Sequence, residues 1–310
     1  MSTLAVPLLL STTLGAFKKK VPVLDMISLD ARNDMMKKDQ VSYAHIRTLP
    51  TAGAYGADGF FSNANNSQDL LVDVPVTLDQ LKHVTLNLTY LQTLSDQKID
   101  LAMEDAAYVL GKTVVDFALA KAALEANLTY EETAAVASTT KETLGVIRQK
   151  MNTNGAGPIR YGLVNSPVAT ELDSDPLITS GDYYGQRSQA QGYLEWSNLA
   201  GFTKIMEYTD LPTTVNMTGL FFDPRCIAVR TAVPMNAFDL AASLGVPSIA
   251  SATTQQDPET GITLLAIQHM KPGTLDLYLT LALLYGAAAG AQGGSAGTIT
   301  DKAGVRLVSA

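Results

Sequence analysis

Apolar and polar positions alternate with a period of two over two neighbouring stretches. Val72, Val74, Val76 and Leu78 form one apolar row, and Val84, Leu86, Leu88 and Tyr90 form a second against Thr85, Asn87 and Thr89. That period predicts two half-buried strands. Pro75 cannot donate a ladder hydrogen bond, so the first strand is predicted at a sheet edge or with a bulge. Over 99–126 the period becomes helical. Met103, Ala106, Leu110, Val114, Phe117 and Leu124 recur three or four apart or at a multiple, while Asp100, Glu104, Lys112 and Asp116 fall mainly on other faces. Such a helix is about 42 Å long, with Gly111 its weak point at roughly 1 kcal/mol against alanine. The stripe is no sustained heptad, so it predicts packing on a sheet and not a coiled coil. Thr129 with Glu132, and Thr139 with Glu142, have capping-box spacing and predict two short helices. The second is predicted to end near Met151, before Gly155, Gly157 and Pro158.

Beyond residue 158 the chain reads as strands and turns. Strands are predicted over Ile159–Val164, Gly201–Tyr208, Leu220–Val233, Ile262–Gln268 and Val305–Val308. Leu275, Leu277, Leu279, Leu281 and Leu283 alternate strictly, a strong strand signal. Turns are predicted at Asp173–Pro176, Ser180–Asp182 and Asp257–Gly261, a short helix at Ala237–Leu244, and a flexible loop at Gly286–Gly297. Residues 1–45 show no sustained period and predict an extended arm with at most a short helix, which needs a surface to lie on. Residues 48–70 carry Gly53, Gly56, Gly59 and the polar run Ser62–Gln68, and predict a long loop. No internal repeat is present.

Composition changes this picture in one direction. The chain has 310 residues, 46% hydrophobic and only 17% charged, against roughly 25% charged in an average soluble protein. It can bury a core, and a shortage of charge is what a chain shows when neighbours cover part of its surface. The net charge of −8 argues against a dedicated nucleic-acid binder. The dense basic runs, Lys18–Lys20 and Lys37-Lys38, are compatible with a solvated arm or with contact to nucleic acid or a scaffold. The apolar run Leu4–Leu10 precedes its lysines, the reverse of a signal peptide, and no stretch approaches the ~20 apolar residues of a membrane span, so a soluble, non-secreted chain is expected.

The sequence offers little chemistry. Cys226, the one cysteine, lies in an apolar run beside Arg225 and reads as a small core residue rather than a nucleophile. His45, His83 and His269 are far apart and lack metal-ligand spacing. No Walker loop or nucleophile elbow is present. Gly53, Gly56 and Gly59 do not match the dinucleotide fingerprint, and no predicted helix follows Gly286–Gly297 to receive a phosphate. Glu171, Asp173 and Asp175 could form a carboxylate pair but read as a solvated turn, and Trp196 reads as a core or interface anchor. No catalytic, cofactor-binding or metal-binding residue is assigned, no cofactor is expected, and the chain is read as a non-enzyme.

The order of pieces then carries a resemblance. Val72–Leu78 followed by Lys82–Leu86 resembles the strand descending from an extended loop. Residues 100–126 resemble a spine helix, and Arg160–Pro167 a strand ending in Ser-Pro. Gly201–Ile205 resembles a turn into a strand, and Gly219–Ala228 a late coat-protein strand. Together they resemble the major capsid protein family of tailed bacteriophages, with its Hong Kong 97 phage-type shell fold. The likeness covers nearly the whole chain through order and texture.

The resemblance implies an α+β subunit with an N-terminal arm (1–45), an extended loop with flanking strands (46–90), a peripheral domain with the spine helix (91–128 and 225–282) and an axial domain (129–224 and 283–310). It implies pentamers and hexamers closing into an icosahedral shell around double-stranded DNA, with scaffolding, portal and cement proteins as partners and no membrane. Assembly would occur in the bacterial host cytoplasm and the product would reside in the virion. One variant of the family links subunits covalently from a lysine in the extended loop. No lysine lies between Lys38 and Lys82 here, so no such link is expected. Two other readings stay open: an encapsulin-like compartment shell, and a soluble α/β enzyme with an unrecognised site.

Overall fold

The structure is a computed structural model. It describes residues 21–47, 71–91, 96–124, 128, 130–154, 156–179, 186–190, 193–213, 216–234, 249–256, 261–270, 276–289 and 304–310. Its strands are β1 (Ser28–Met36), β2 (Gln40–Arg47), β3 (Leu71–Leu78), β4 (Gln80–Asn87), β5 (Glu131–Thr133), β6 (Tyr161–Val164), β7 (Gln186–Ala190), β8 (Tyr193–Leu199), β9 (Phe202–Glu207), β10 (Met217–Phe222), β11 (Ile227–Pro234), β12 (Ile249–Gln256), β13 (Thr263–Met270), β14 (Leu277–Ala289) and β15 (Gly304–Val308). Among the described residues three helices exceed one turn: α1 (Asp96–Ala122), α2 (Lys141–Thr153) and α3 (Ser166–Ser174). The described residues fall into two compact units. The first comprises the chain up to Ser42, Pro75–Ala118 and Val229–Ala288, and the second holds the remainder.

The first unit is built on a six-stranded sheet in the order β1-β11-β14-β13-β12, with β4 also paired to β14. The leucine alternation correctly marks β14, which pairs antiparallel with β4 from Tyr278↔Asn87 to Tyr285↔Gln80. From Leu281 to Ala287 every residue of β14 is buried. Helix α1 turns Met103, Ala106, Leu110 and Val114 inward, as its period predicts, whereas Phe117 is only partly buried. Tyr285 on β14 donates from its hydroxyl to the Thr113 carbonyl (3.1 Å) and meets Phe117 edge-on at 5.8 Å. Burial pushes the Tyr285 hydroxyl above its ordinary pKa, which keeps it a donor.

The expectations differ from the fold at several points here. Leu124 stands exposed. Leu88–Leu91 is a helical turn and not the end of β4, because Asn87 Oδ1 accepts the Tyr90 N–H (3.0 Å) and offers the backbone an alternative to the ladder. Gly286–Ala289, expected in a loop, belongs to β14. The remainder of that loop, the Ala237–Leu244 helix, and the loop over 48–70 lie outside the described residues. Strand β12 was not anticipated. The segment predicted as an extended arm with at most a short helix forms, from Pro22 onward, a 3-10 turn and then strands β1 and β2, each paired within a sheet.

The second unit holds a seven-stranded mixed sheet, β5-β15-β10-β6-β9-β8-β7. β6 runs parallel to β9 and β15 parallel to β5, and the other pairs with a known register are antiparallel. Trp196 lies in its core with Leu144, Ile147, Val168, Phe202 and Phe221, and Phe202 tilts against Phe221 at 5.1 Å. The predicted Leu220–Val233 strand is two strands, interrupted where Asp223 accepts the Arg225 N–H (3.0 Å) and caps a 3-10 turn. Glu131–Thr133 is strand β5 and not a helix, since pairing with β15 overrides a local capping spacing. Helix α2 is capped at Thr140, one residue later than predicted, where the Thr140 N–H donates to the Thr143 hydroxyl (3.3 Å). The β7–β8 hairpin was not anticipated.

Helix α3 replaces part of the expected turn region, and Asp175 is correspondingly no solvated turn residue. It is 6% exposed. Its Oδ2 accepts the Lys141 N–H at the start of α2, and its Oδ1 accepts the Leu177 N–H, both at 2.8 Å. Replacing Asp175 with alanine leaves two helix-start donors without this acceptor and is expected to cost about 2 kcal/mol. Urea unfolding checks this, and a loss under roughly 0.5 kcal/mol contradicts it.

Candidate assembly surface

The sequence-singled residues do not converge on a reactive centre. Cys226 is a buried thiol. His83 is exposed on β4, His269 stacks on Tyr278 at 5.8 Å, and His45 meets the Asp73 carboxylate. Among the described residues no cluster of His, Cys, Asp or Glu could hold a metal ion, and no helix is long and apolar enough to cross a membrane. Trp196 is fully buried. Gly53, Gly56, Gly59 and Lys18–Lys20 lie outside the described residues, and Lys37 and Lys38 stand exposed between β1 and β2.

What the chain does present is a two-stranded ribbon, β2 with β3. The Asp39 N–H donates to the Leu78 carbonyl (2.7 Å), and His45 meets Asp73 further along, so the strands run antiparallel. Ser42 and Ala44 on β2, and Val74, Val76 and Leu78 on β3, are buried. The alternate positions Val41, Tyr43, Asp73, Pro75 and Thr77 are exposed. Among the described residues β2 is the single strand partner of β3, a sheet edge of the kind that tolerates Pro75. A two-stranded ribbon is marginal alone in water and needs support on a face. The inward row supplies it on one side. The outward row leaves Val41 and Tyr43 about half exposed, at 51% and 54%. Met35 at the end of β1 is 65% exposed. The ribbon flanks residues 48–70.

The root of this hairpin is held by a residue the sequence reading passed over. Arg230 on β11 is 1% exposed. Its Nε donates to Ser42 Oγ (3.0 Å), Nη1 to both the carbonyl and Oδ1 of Asp30 (3.3 Å each), and Nη2 to Asp34 Oδ2 (3.0 Å). Arg32 adds a second fork onto Asp30 at 3.1 Å. Burial draws the Arg230 guanidinium below its ordinary pKa, Asp30 and Asp34 oppose that, and Arg32 reinforces it. A guanidinium of this kind stays charged. Strand β1 is therefore anchored in the sheet by charge pairing where an apolar row would be expected.

No family model and no curated protein matches the chain. Among solved structures, the chain is similar to the capsid of cyanophage P-SCSP1u, at 12% identity and a TM-score of 0.50, over 90% of this chain and 86% of that one. It is also similar to the mature capsid of bacteriophage PhiM1, at 11% identity and a TM-score of 0.47, over 92% and 85%. The SrpI encapsulin of Synechococcus elongatus PCC 7942 shares 9% identity at a TM-score of 0.48, over 89% and 84%.

Proposed function

We propose that this chain, which has the α+β shell fold of tailed-phage capsid proteins, is a major capsid protein that assembles copies of itself into the icosahedral shell of a tailed bacteriophage. One observation carries the reading: the likeness to the cyanophage capsid extends over 90% of the chain. The ribbon with its half-exposed Val41 and Tyr43 supplies a surface for neighbours. In this reading residues 1–45 are the arm and 46–90 the extended loop with its flanking strands. Residues 91–128 and 225–282 form the peripheral domain, and 129–224 and 283–310 the axial domain.

The mechanism is geometric. Arm and loop lie across neighbouring copies, so apolar surface left open on one chain is covered by the next. Burial contributes about 25 cal/mol per Å², less the entropy of association. Repetition around a closed shell makes many modest contacts collectively strong. The partners are other copies as pentamers and hexamers, scaffolding, portal and cement proteins, and packaged double-stranded DNA. The site of action is the virion after assembly in the host cytoplasm, and no catalytic step is needed.

Electron microscopy of the full chain, expressed with and without its scaffolding protein, is expected to show closed particles. Nucleic acid inside them supports the phage reading, whereas cargo protein inside indicates a compartment shell. A small monodisperse species with no particles in either preparation overturns the reading. A denaturing gel of mature particles is expected to show single-chain bands. Covalent ladders would contradict the absence of a lysine between Lys38 and Lys82 as the deciding feature.

A further inference from the structure

Three arginines meet on the second unit. Arg148 is exposed on α2, Arg160 immediately precedes β6, and Arg225 follows β10. Arg225 and Arg160 are joined through Asp223 and the Gly157 backbone, the Asp223 side chain being 4% exposed, and Arg148 lies beside Arg160 without touching that carboxylate. Arg225 donates from Nε to Asp223 Oδ1 (3.0 Å) and from Nη2 to Oδ2 (2.5 Å), and the same Oδ2 accepts the Gly157 N–H (2.7 Å). Arg160 donates from Nε to the Gly157 carbonyl (2.8 Å) and from Nη2 to that of Ala156 (3.3 Å). A methyl on Gly157 would lie 2.6 Å from Asp223 Oδ2 and 2.9 Å from Arg225 Nη2, so the loop comes this close only as glycine. Arg148 lies over Gly201, where a methyl would stand 2.7 Å from its Cδ. Burial draws the Arg160 guanidinium below its ordinary pKa; Asp223 opposes this and Arg148 adds to it, so the guanidinium groups sense one another.

Among the described residues Arg148 pairs with no carboxylate, and Asp223 is the carboxylate that binds the cluster. Three guanidinium groups against one carboxylate leave a local surplus of positive charge in a chain whose net charge is −8.

We infer that Arg148, Arg160 and Arg225 form a docking patch for a carboxylate-bearing segment of a second copy of this chain. The guanidinium fork matches a carboxylate in two-point geometry. With 30 Asp and Glu against 22 Lys and Arg, every further copy brings a surplus of carboxylates. Ile159, next to Arg160 in the chain, is 51% exposed, and arginine with apolar side chains is the composition of protein interfaces. Nucleic acid fits less well, because the net charge repels it and the cluster holds no lysine run. The identity of the partner rests on the shell reading above.

The test uses the full chain and Arg148→Glu, since Arg148 is the exposed member that holds no fold contact with a carboxylate. Sedimentation across a protein-concentration series at two salt levels reads assembly, and thermal melting reads the fold. R148E is expected to melt like the parent and to need at least about tenfold more protein to assemble, with the parent's assembly weakening as salt rises. Should R148E melt lower, Arg148→Gln decides by the same concentration criterion. A variant that assembles at the parent's concentration, with the parent's salt response, overturns the inference. So does one that assembles normally yet loses retention of duplex DNA, which would assign the patch to nucleic acid. A parent chain that never assembles overturns the shell reading first, and the partner assignment with it.

Discussion

Replacing Arg230 with alanine is expected to destabilise the chain by about 4 kcal/mol, the scale of removing one partner from a buried ion pair. The guanidinium is 1% exposed and satisfies Ser42, Asp30 and Asp34 together. Its loss leaves a mostly buried Asp30 carboxylate and a buried Ser42 hydroxyl without that donor, in addition to a cavity. Asp34→Asn is the contrasting control. The Asp34 side chain is 60% exposed, so solvent screens the pair and the expected loss is below about 1 kcal/mol. Urea unfolding of both variants provides the comparison. Equal effects would mean that the exposed Asp34 charge carries the network, and not the buried Asp30 and Ser42 contacts. Assembly should fail with R230A even where the monomer stays folded, because the released β1 no longer carries the chain into β2.

Gly286→Ala is expected to be nearly as damaging, at about 3 kcal/mol or failure to fold. A methyl at this position would lie 2.1 Å from the Thr77 carbonyl oxygen and 2.8 Å from its carbon. Both are backbone atoms, so no side-chain rotation relieves the clash, and β3 would have to move away from β14. Val76 Cγ1 stands 2.9 Å away as well. Thermal unfolding checks the stability. A variant with an unchanged melting temperature contradicts the close approach of these strands. Gly145→Ala on α2, where a methyl meets nothing within 4 Å, is the contrasting comparison and is expected to stabilise by up to about 1 kcal/mol.

These two residues also show where sequence reading ran out. Gly286 opens a glycine-alanine segment that reads as a flexible loop, yet it is a point where β14 lies tight against the β3 backbone. Nothing local separates a glycine needed for closeness from one needed for freedom. Arg230 sits in an apolar run and offered no hint of its partners, which lie almost two hundred residues earlier in the chain. Strand β1 was invisible for the matching reason. Its inward contacts include Asp30 and Asp34, so it lacks the apolar alternation that marks β3 and β4. Helix α3 did leave a signal, since Asn165 accepts the Val168 N–H (3.1 Å) as an N-cap and Pro167 occupies the first turn. The Asp-Pro at its far end drew attention to a turn instead. Of the candidate surface, the alternation of β3 and its edge position were legible from Val72–Leu78 and Pro75, while the pairing with β2 and the anchoring of its root were not.

The amino-acid sequence by itself determined those elements whose apolar positions recur locally: α1, β3, β4 and β14, each written in a period of 3.6 or two that any neighbour with an apolar face would satisfy. Tertiary structure alone decided which polar groups go inside. Arg230 with Ser42, Asp175 at two helix starts, and Asp223 against the Gly157 N–H are buried because a distant partner offsets the loss of water. A local pattern records apolar burial residue by residue, but the desolvation of a charge is compensated only by a group that folding brings to it.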